Sequence, residues 1–566
     1  MEREQSPLLE ESNEFNEPAD DLKAAINPTR PLWFIILITL IEGGLQLSWS
    51  TEFSNGTPFL RSLGMSKTLM SLVWIAGPMS GTFGQPIVGV LSDELRWKIG
   101  RRRPFIVGGG LATIASLMIL SWSKEIMGLF SNPDIDPEEL KHKTIPLAVA
   151  FVYILDFSIS AIQASARAFL VDNIPTHQQQ RANAWAARMV GFGNIIGYGL
   201  GATNLPKLAP WLGDTQFKVL CACASSALVF AVTPAVTGVR ERDPNTDPTV
   251  RPLVQLPPGH NKIKQIYQDT KNAILNLSPQ TRLVCNVQFF AWIGYFPMLF
   301  YTTTFVGEMY RREKLAQLPP GAVLSPHDAE LLWEEATRRG TFAMVLYAIT
   351  SLSSNVILPF LVRKSYHARA RDDSDEEDNS QTTTSISQHL QNIPGFSLVS
   401  KLHGSTTVAR CWTFSHGIFI LAMASTFFIS TYRGATALIA VLGVCWAHAL
   451  WAPYTLIAEE ISRIKEKKVL AALNPDSSAH QLYQKYEHQA GVILGVHNVF
   501  IASPQVISSL MASILFKIFS SQDDTKPDNS IAWVFRFGGC FALIALYLST
   551  KLKTPEQLNA EENLES

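Results

Sequence analysis

The sequence predicts an all-α membrane protein: twelve transmembrane helices in two six-helix halves. Three observations predict it. Of 566 residues, 47% are hydrophobic and only 17% charged. Mean hydropathy is a modest +0.11, but the charges gather in the tails and a few loops. Between them lie apolar blocks of ~20 residues, the length that crosses ~30 Å of hydrocarbon. Finally, six such blocks precede a hydrophilic stretch at 239–283 and six follow it. The net charge of −1 says little, because the distribution of charge matters more than its sum.

Residues 1–30 form an acidic, polar cytoplasmic tail without the basic-then-apolar order of a signal peptide. Within it, Glu4 and Leu8-Leu9 have the acidic-dileucine form read by sorting adaptors. The first half, 31–238, holds spans at about 32–54, 68–92, 103–122, 144–172, 182–203 and 216–238. A cytoplasmic linker, 239–283, follows. The second half, 284–550, holds spans at about 284–308, 340–363, 408–430, 434–459, 489–518 and 530–550. It includes a loop, 364–407, whose run Asp372-Asp373-Ser374-Asp375-Glu376-Glu377-Asp378 reads as disordered. A cytoplasmic tail, 551–566, ends the chain.

Basic residues orient the bundle. Arg96, Lys98, Arg101, Arg102 and Arg103 follow span 2, Arg363 and Lys364 follow span 8, and Arg463, Lys465, Lys467 and Lys468 follow span 10. These even-numbered loops should be cytoplasmic, with both termini inside. Arg311, Arg312, Lys314, Arg338 and Arg339 around the loop after span 7 oppose that order. The sequon Asn55-Gly56-Thr57 falls in the expected first outer loop. The cysteines (Cys221, Cys223, Cys285, Cys411, Cys445 and Cys540) lie in or beside apolar blocks and read as small buried apolar residues. No zinc-like spacing or nucleophile–base pair is apparent, so neither metal, cofactor, enzymatic activity nor a nucleic-acid partner is expected.

Asp156 is the most informative residue. An intramembrane carboxylate is costly and marks a functional site by default. Ser160, Gln163 and Arg167 follow at i+4, i+7 and i+11, placing all four on one helical face. Such a stripe must face protein or water. Apolar surroundings disfavour the charged form of a carboxyl group, which suits Asp156 to load a proton from an acidic medium and shed it when wetted from the cytoplasm. Arg167 lies roughly 16 Å further along a straight helix, too far to pair with Asp156 directly.

Several segments resemble a known family. Gly89-Val90-Leu91-Ser92-Asp93 with Gly100-Arg101-Arg102-Arg103-Pro104 resembles the cytoplasmic G-x-x-x-D…G-R-R signature of the major facilitator superfamily. Within it, Gly100 to Ile106 resembles the sucrose and α-glucoside–proton symporters of the glycoside–pentoside–hexuronide:cation family. So do Gln85-Pro86-Ile87-Val88-Gly89, Ile154-Leu155-Asp156, Ala166-Arg167-Ala168-Phe169-Leu170 with Asp172, Gly193-Asn194-Ile195-Ile196-Gly197-Tyr198, and Leu494-Gly495-Val496-His497-Asn498. The long acidic loop of the second half is similar to that of the fungal α-glucoside permeases. The resemblance implies the major facilitator fold and proton-coupled sugar symport, with Asp156 taking up the proton and Arg167 needed for coupling or substrate binding. Two departures weigh against strict sucrose selectivity. The plant members' outer-loop histidine gives way to Met65-Ser66-Lys67, and their span-7 aspartate to a segment ending in Glu308.

Sugars need many hydroxyl partners and a flat apolar face. Glu52, Gln46, Gln85, Gln163 and Asn194 in the first half, with Trp446, His497 and Asn498 in the second, are the substrate-binding candidates. Glu42, Trp49 and Trp451 are further polar or aromatic possibilities. Asp93, Arg101 and Arg102 read as a gating ion-pair cluster at the cytoplasmic rim, and Gly193, Gly197 and Gly201 as a close-packing row within one subunit. The expected activity is proton-driven uptake of α-glucosides such as maltose and sucrose by a monomer in the lipid bilayer, at the plasma membrane. A vacuolar transporter and a non-transporting sugar sensor are the alternatives.

Overall fold

The computed structural model describes residues 29–175, 178–241, 274–319, 324–362, 406–472, 490–520 and 528–565, with isolated residues between 268 and 272. Twelve long helices fill these stretches. In the first half they are α1 (Leu32–Ser62), α2 (67–94), α3 (Arg103–Ser121), α4 (Pro137–Asn173), α5 (Gln179–Ala202) and α6 (Gln216–Gly238). The second half has α7 (Pro279–Leu315), α8 (Pro326–Leu361), α9 (Val408–Ser425), α10 (Tyr432–Ala472), α11 (Ala490–Phe519) and α12 (Ser530–Ser549). A short α13 (Pro555–Glu565) follows. Most of the terminal tail, the linker and the acidic loop lie outside the described residues.

Nine of these helices are long and apolar enough to cross a membrane. The other three are α2, α5 and α9. Turns and a π-helical segment interrupt α2, α5 carries Arg181 and Arg188, and α9 carries Arg410 and His416. Several helices outrun their expected spans. Asp136 caps α4 by accepting from the Glu138 and Glu139 amides, with Pro137 at the first position, so the helix starts well before its apolar stretch. Likewise Ser325 caps α8 by accepting from Asp328.

Packing repeats between the halves. α1 packs on α5 and α6 as α7 packs on α11 and α12, and α3 meets α4 and α6 as α9 meets α10 and α12. The halves meet along α5–α8 and, symmetrically, α2–α11. This is the pseudo-symmetric arrangement of transporters whose halves rock about a central site. The glycine row explains one tight contact. A Cβ on Gly193 would lie 2.6 Å from the Gly43 carbonyl oxygen, one on Gly197 2.6 Å from Ser50 Cβ, and one on Gly201 2.8 Å from a Thr341 methyl. The row therefore packs α5 on α1 and, at its end, on α8.

Two expectations are corrected. Asn55 is not in a loop: it lies in a π-helical turn of α1, only 4% exposed, with its amide donating to Ser54 Oγ at 2.8 Å. Not all cysteines are buried either: Cys540 is exposed on α12, while Cys223 and Cys411 are half-buried. An exposed thiol on a membrane helix suits a lipid-facing surface.

Candidate functional site

Asp156 is 1% exposed and Glu52 5% exposed, and the two carboxyl groups face each other. None of their four oxygens accepts a hydrogen bond among the described residues. Ionised carboxylates carry no donor, so the pair can bond only through a proton that one of them holds. The backbone of α2 passes beside them at Gly77, where an added Cβ would lie 3.9 Å from both Asp156 oxygens. Glu52 also borders a cavity with room for about one water, walled by Trp74, Leu117, Val152 and Leu155 among others.

Local helix geometry aims these groups. α1 passes through a π-helical turn over Glu52–Gly56 and α2 through another over Ser80–Gly84. Such turns shift the phase of a helix and recur at functional sites. Both lie beside the polar face of α4. Ser160 Oγ meets Ser80 Oγ at 2.8 Å, and Gln163 accepts from the Gln85 amide at 2.9 Å. Arg167 is exposed, with the half-buried Glu42 within electrostatic reach. The stripe thus has a partner from α1 or α2 at each step.

The other first-half candidates form a second cluster. The Gln46 amide donates to Asn194 Oδ1 at 2.9 Å, and Ser50 Oγ donates to the same oxygen at 3.2 Å. Arg188 is exposed and lies over the Trp185 ring at 5.0 Å. Trp49 stacks on Phe53, with ring centroids 5.3 Å apart.

In the second half, Trp446 stands in an aromatic group with Trp292 at 5.4 Å and Tyr295 at 5.9 Å. Trp292 Nε1 and the Tyr347 hydroxyl are buried without a hydrogen-bond partner among the described residues. Periodicity alone did not single out these two. Their signal is a polar atom on an aromatic body, a mixture that sugars favour. His497 is fully buried against the Tyr454 ring at 5.0 Å. Asn498 reaches across the halves, its amide donating to the Gly81 carbonyl at 3.5 Å.

The cytoplasmic cluster has partners that the sequence reading did not assign. Arg101 and Arg102 pair with Asp172 at 2.8 and 3.0 Å, and Arg102 donates to Ser92 at 2.5 Å. Glu241 accepts from the backbone amides of Arg101, Arg102 and Arg103. Ser92 and Asp172 belong to the first half, and Glu241 to the start of the linker. The Asp93 side chain lies outside the described residues.

Ion pairs between the halves lie at the outer end. Glu308 on α7 takes Arg61 at 2.6 Å and Lys67 at 2.7 Å, and Lys67 also pairs with Asp528 at 2.8 Å. Thr57 donates to the Phe300 carbonyl at 3.0 Å, and Ser513 to that of Thr68 at 3.2 Å. The outer mouth is therefore shut. The basic residues around the α7–α8 loop, which opposed the charge rule, meet local partners: Arg338 and Arg339 face Glu334 and Glu335 at 3.6 Å, and Arg312 donates to Asn529 at 3.0 Å.

A chain of twelve membrane helices in two matching halves, with a buried polar seam between helices and an ion-paired mouth, has the build of a secondary transporter. The profile of the Major Facilitator Superfamily matches residues 33–474, and the chain belongs to that superfamily. It is 34% identical to the "General alpha-glucoside permease" of Schizosaccharomyces pombe, over 96% of this chain and 97% of that one. It is 30% identical to the "Sucrose transport protein SUT3" of Oryza sativa subsp. japonica, over 61% of this chain and 67% of that one. Among solved structures, a D-xylose-proton symporter superposes with a TM-score of 0.50 at 15% identity, over 93% of this chain and all of that one. The inward-open xylose transporter XylE from E. coli does so at 0.51 and 14% identity, over 93% and 98%. These structural likenesses concern the fold.

Proposed function

We propose that the protein imports α-glucosides such as maltose and sucrose across the plasma membrane, each sugar entering with a proton. The observation that carries the reading is Asp156: a buried carboxylate without a donor or cation among the described residues, heading a polar seam inside a transporter fold. The named substrates of its relatives, an α-glucoside permease and a sucrose transport protein, supply the substrate class. Alternating access brings Asp156 first to an acidic outer medium, where it takes up a proton, and then to the cytoplasm, where it releases it. An inside-negative potential adds about 2.3 kcal/mol per 100 mV for each entering charge.

Sugar is held between the halves, by Gln46, Gln85, Gln163 and Asn194 on one side and by Trp446, His497 and Asn498 on the other. Arg167 couples the seam to the sugar, and Arg101 and Arg102, with Asp93, steady the cytoplasmic rim. The protein acts as a monomer, its two halves supplying the whole pathway.

The test is sugar uptake in a host lacking its own permeases, with the pH of the medium recorded. Wild-type protein should accumulate labelled maltose or sucrose and make the medium alkaline as sugar is added. Asp156→Asn should reach the surface yet lose the alkalinisation. Unchanged proton influx in that variant would refute the assignment.

A further inference from the structure

We propose that Glu52 and Asp156 carry the coupled proton jointly, one proton shared between two carboxylates, so that Glu52 is a proton ligand rather than a contact for sugar. The proposal rests on the reading that Asp156 carries the coupled ion.

The two groups come from different helices, α1 and α4, and meet where both are almost wholly buried. With both ionised, four acceptor oxygens face one another with no donor among the described residues. Two like charges at close range in a low dielectric repel strongly, and each unsatisfied buried oxygen adds a desolvation cost. Adding one proton removes the repulsion and gives one of the oxygens a donor: one O–H bond forms, and the second carboxylate accepts it in a short, charge-assisted hydrogen bond. The proton comes from hydronium in the outer medium and leaves to water on the cytoplasmic side. No other bond is made or broken.

The surroundings leave this as the pair's natural partner. α2 contributes Gly77, which brings backbone rather than a side chain against the Asp156 oxygens. The cavity beside Glu52 is walled by Leu117 and Leu120 of α3, Leu155 of α4 and Phe217 of α6, all apolar. Tyr153, one turn back on α4, is the other ionisable group beside Asp156. Trp74 Nε1 is buried nearby but bonds to neither carboxylate. α5, α7 and α8 also pack on the π turn, yet no Lys, Arg or His from any of them acts on the pair among the described residues. The cavity beside Glu52 has room for about one water, which suits delivery of a proton to the pair. Glu52 stands at the first position of the π turn of α1, buried against α4.

The proposal is tested on purified full-length protein in lipid vesicles, by infrared difference spectroscopy between acid and alkaline pH and by sugar-driven proton influx. The wild type should show one carboxylic-acid carbonyl band. Asp156→Asn should abolish it, and Glu52→Gln should abolish or displace it while lowering sugar-driven proton influx about tenfold. Sugar counterflow, which needs no net proton movement, should persist in Glu52→Gln, which shows that variant to be folded. Glu52→Asp should restore both the band and the influx. A band unaltered by Glu52→Gln would overturn the proposal and leave Asp156 as the sole carrier. A band absent from the wild type, or influx of sugar that follows sodium instead of pH, would overturn it as well. A shared band in a protein that moves no sugar would uphold the pair and defeat the transport reading, so the two failures are separable.

Discussion

Asp156 was legible in the sequence because a carboxylate near the middle of an apolar block has few structural excuses. Its partner was less legible. Glu52 stood on another helix about a hundred positions earlier, at the end of a span, where an acid can equally face water. The packing of α1 on α4 brings them together, with Glu52 at the start of a π turn. The same holds for Ser160 and Gln163. The i+4 and i+7 spacing put them on one face with Asp156, but it does not reveal their bonds to Ser80 and Gln85, which join α4 to α2. Arg167 keeps its exposure, with Glu42 as its charged neighbour. That juxtaposition predicts coupling. Arg167→Gln should impair uptake strongly, and Arg167→Lys less, since a point charge remains without the guanidinium fork. In a double-mutant cycle, Glu42→Gln with Arg167→Gln should lose less than the sum of the two single variants, by about 0.5–3 kcal/mol. Strict additivity of the two effects on initial uptake rates would show that the groups act independently.

Among the elements, the order of the twelve long helices was legible, although only nine of those described are long and apolar enough to cross a membrane, and their ends were read less well. A hydropathy pattern measures the hydrocarbon crossing, whereas a helix continues as long as caps and polar turns support it. That is why α4 starts at Pro137 behind the Asp136 cap and α8 at Pro326 behind Ser325. The small-residue row of α5 was legible as a close contact, and its partner was not, because glycine spacing does not say which helix approaches. The structure assigns α1. Gly197→Val should therefore force Ser50 and α1 outward, at a cost of about 1–3 kcal/mol, the usual penalty of overpacking. Gly199→Ala, on the same helix where nothing lies within 4 Å of an added Cβ, should be near neutral or slightly stabilising through helix propensity. Thermal unfolding in detergent, followed by size-exclusion profile, checks both. Equal losses at the two positions would mean that the row does not set the α1–α5 contact.

For the whole molecule, the outer ion pairs join the two halves at the outer mouth. Lys67 and Glu308, from the two segments that the sequence reading set apart from the plant pattern, bond to each other across the two halves. Arg61 and Asp528 extend it to a four-residue latch with little exposure. Burial alone would raise the Asp528 carboxyl above its ordinary value, but the charge and hydrogen bond of Lys67 and the bonds to Ser530 hold it below 3.8. A carboxyl lowered on folding contributes stability that is complete above the ordinary value and is lost as pH falls through the lowered one. The Lys67–Asp528 link should thus persist in the mildly acidic media that would load a proton, and yield only below pH 3.8. Glu308→Gln removes the charge that holds both Arg61 and Lys67. It should favour the outward-open state, about tenfold for each 1.4 kcal/mol withdrawn from the closed one. Thr57 is buried at this seam, bonded across it to Phe300, so a Thr57→Cys probe reports the opening. A membrane-impermeant thiol reagent added outside should modify it faster when Glu308 is Gln, and at an unchanged rate between pH 5 and 7 when Glu308 is intact. Equal labelling rates with and without the Glu308 charge would show that apolar contacts, not the latch, close the outer face.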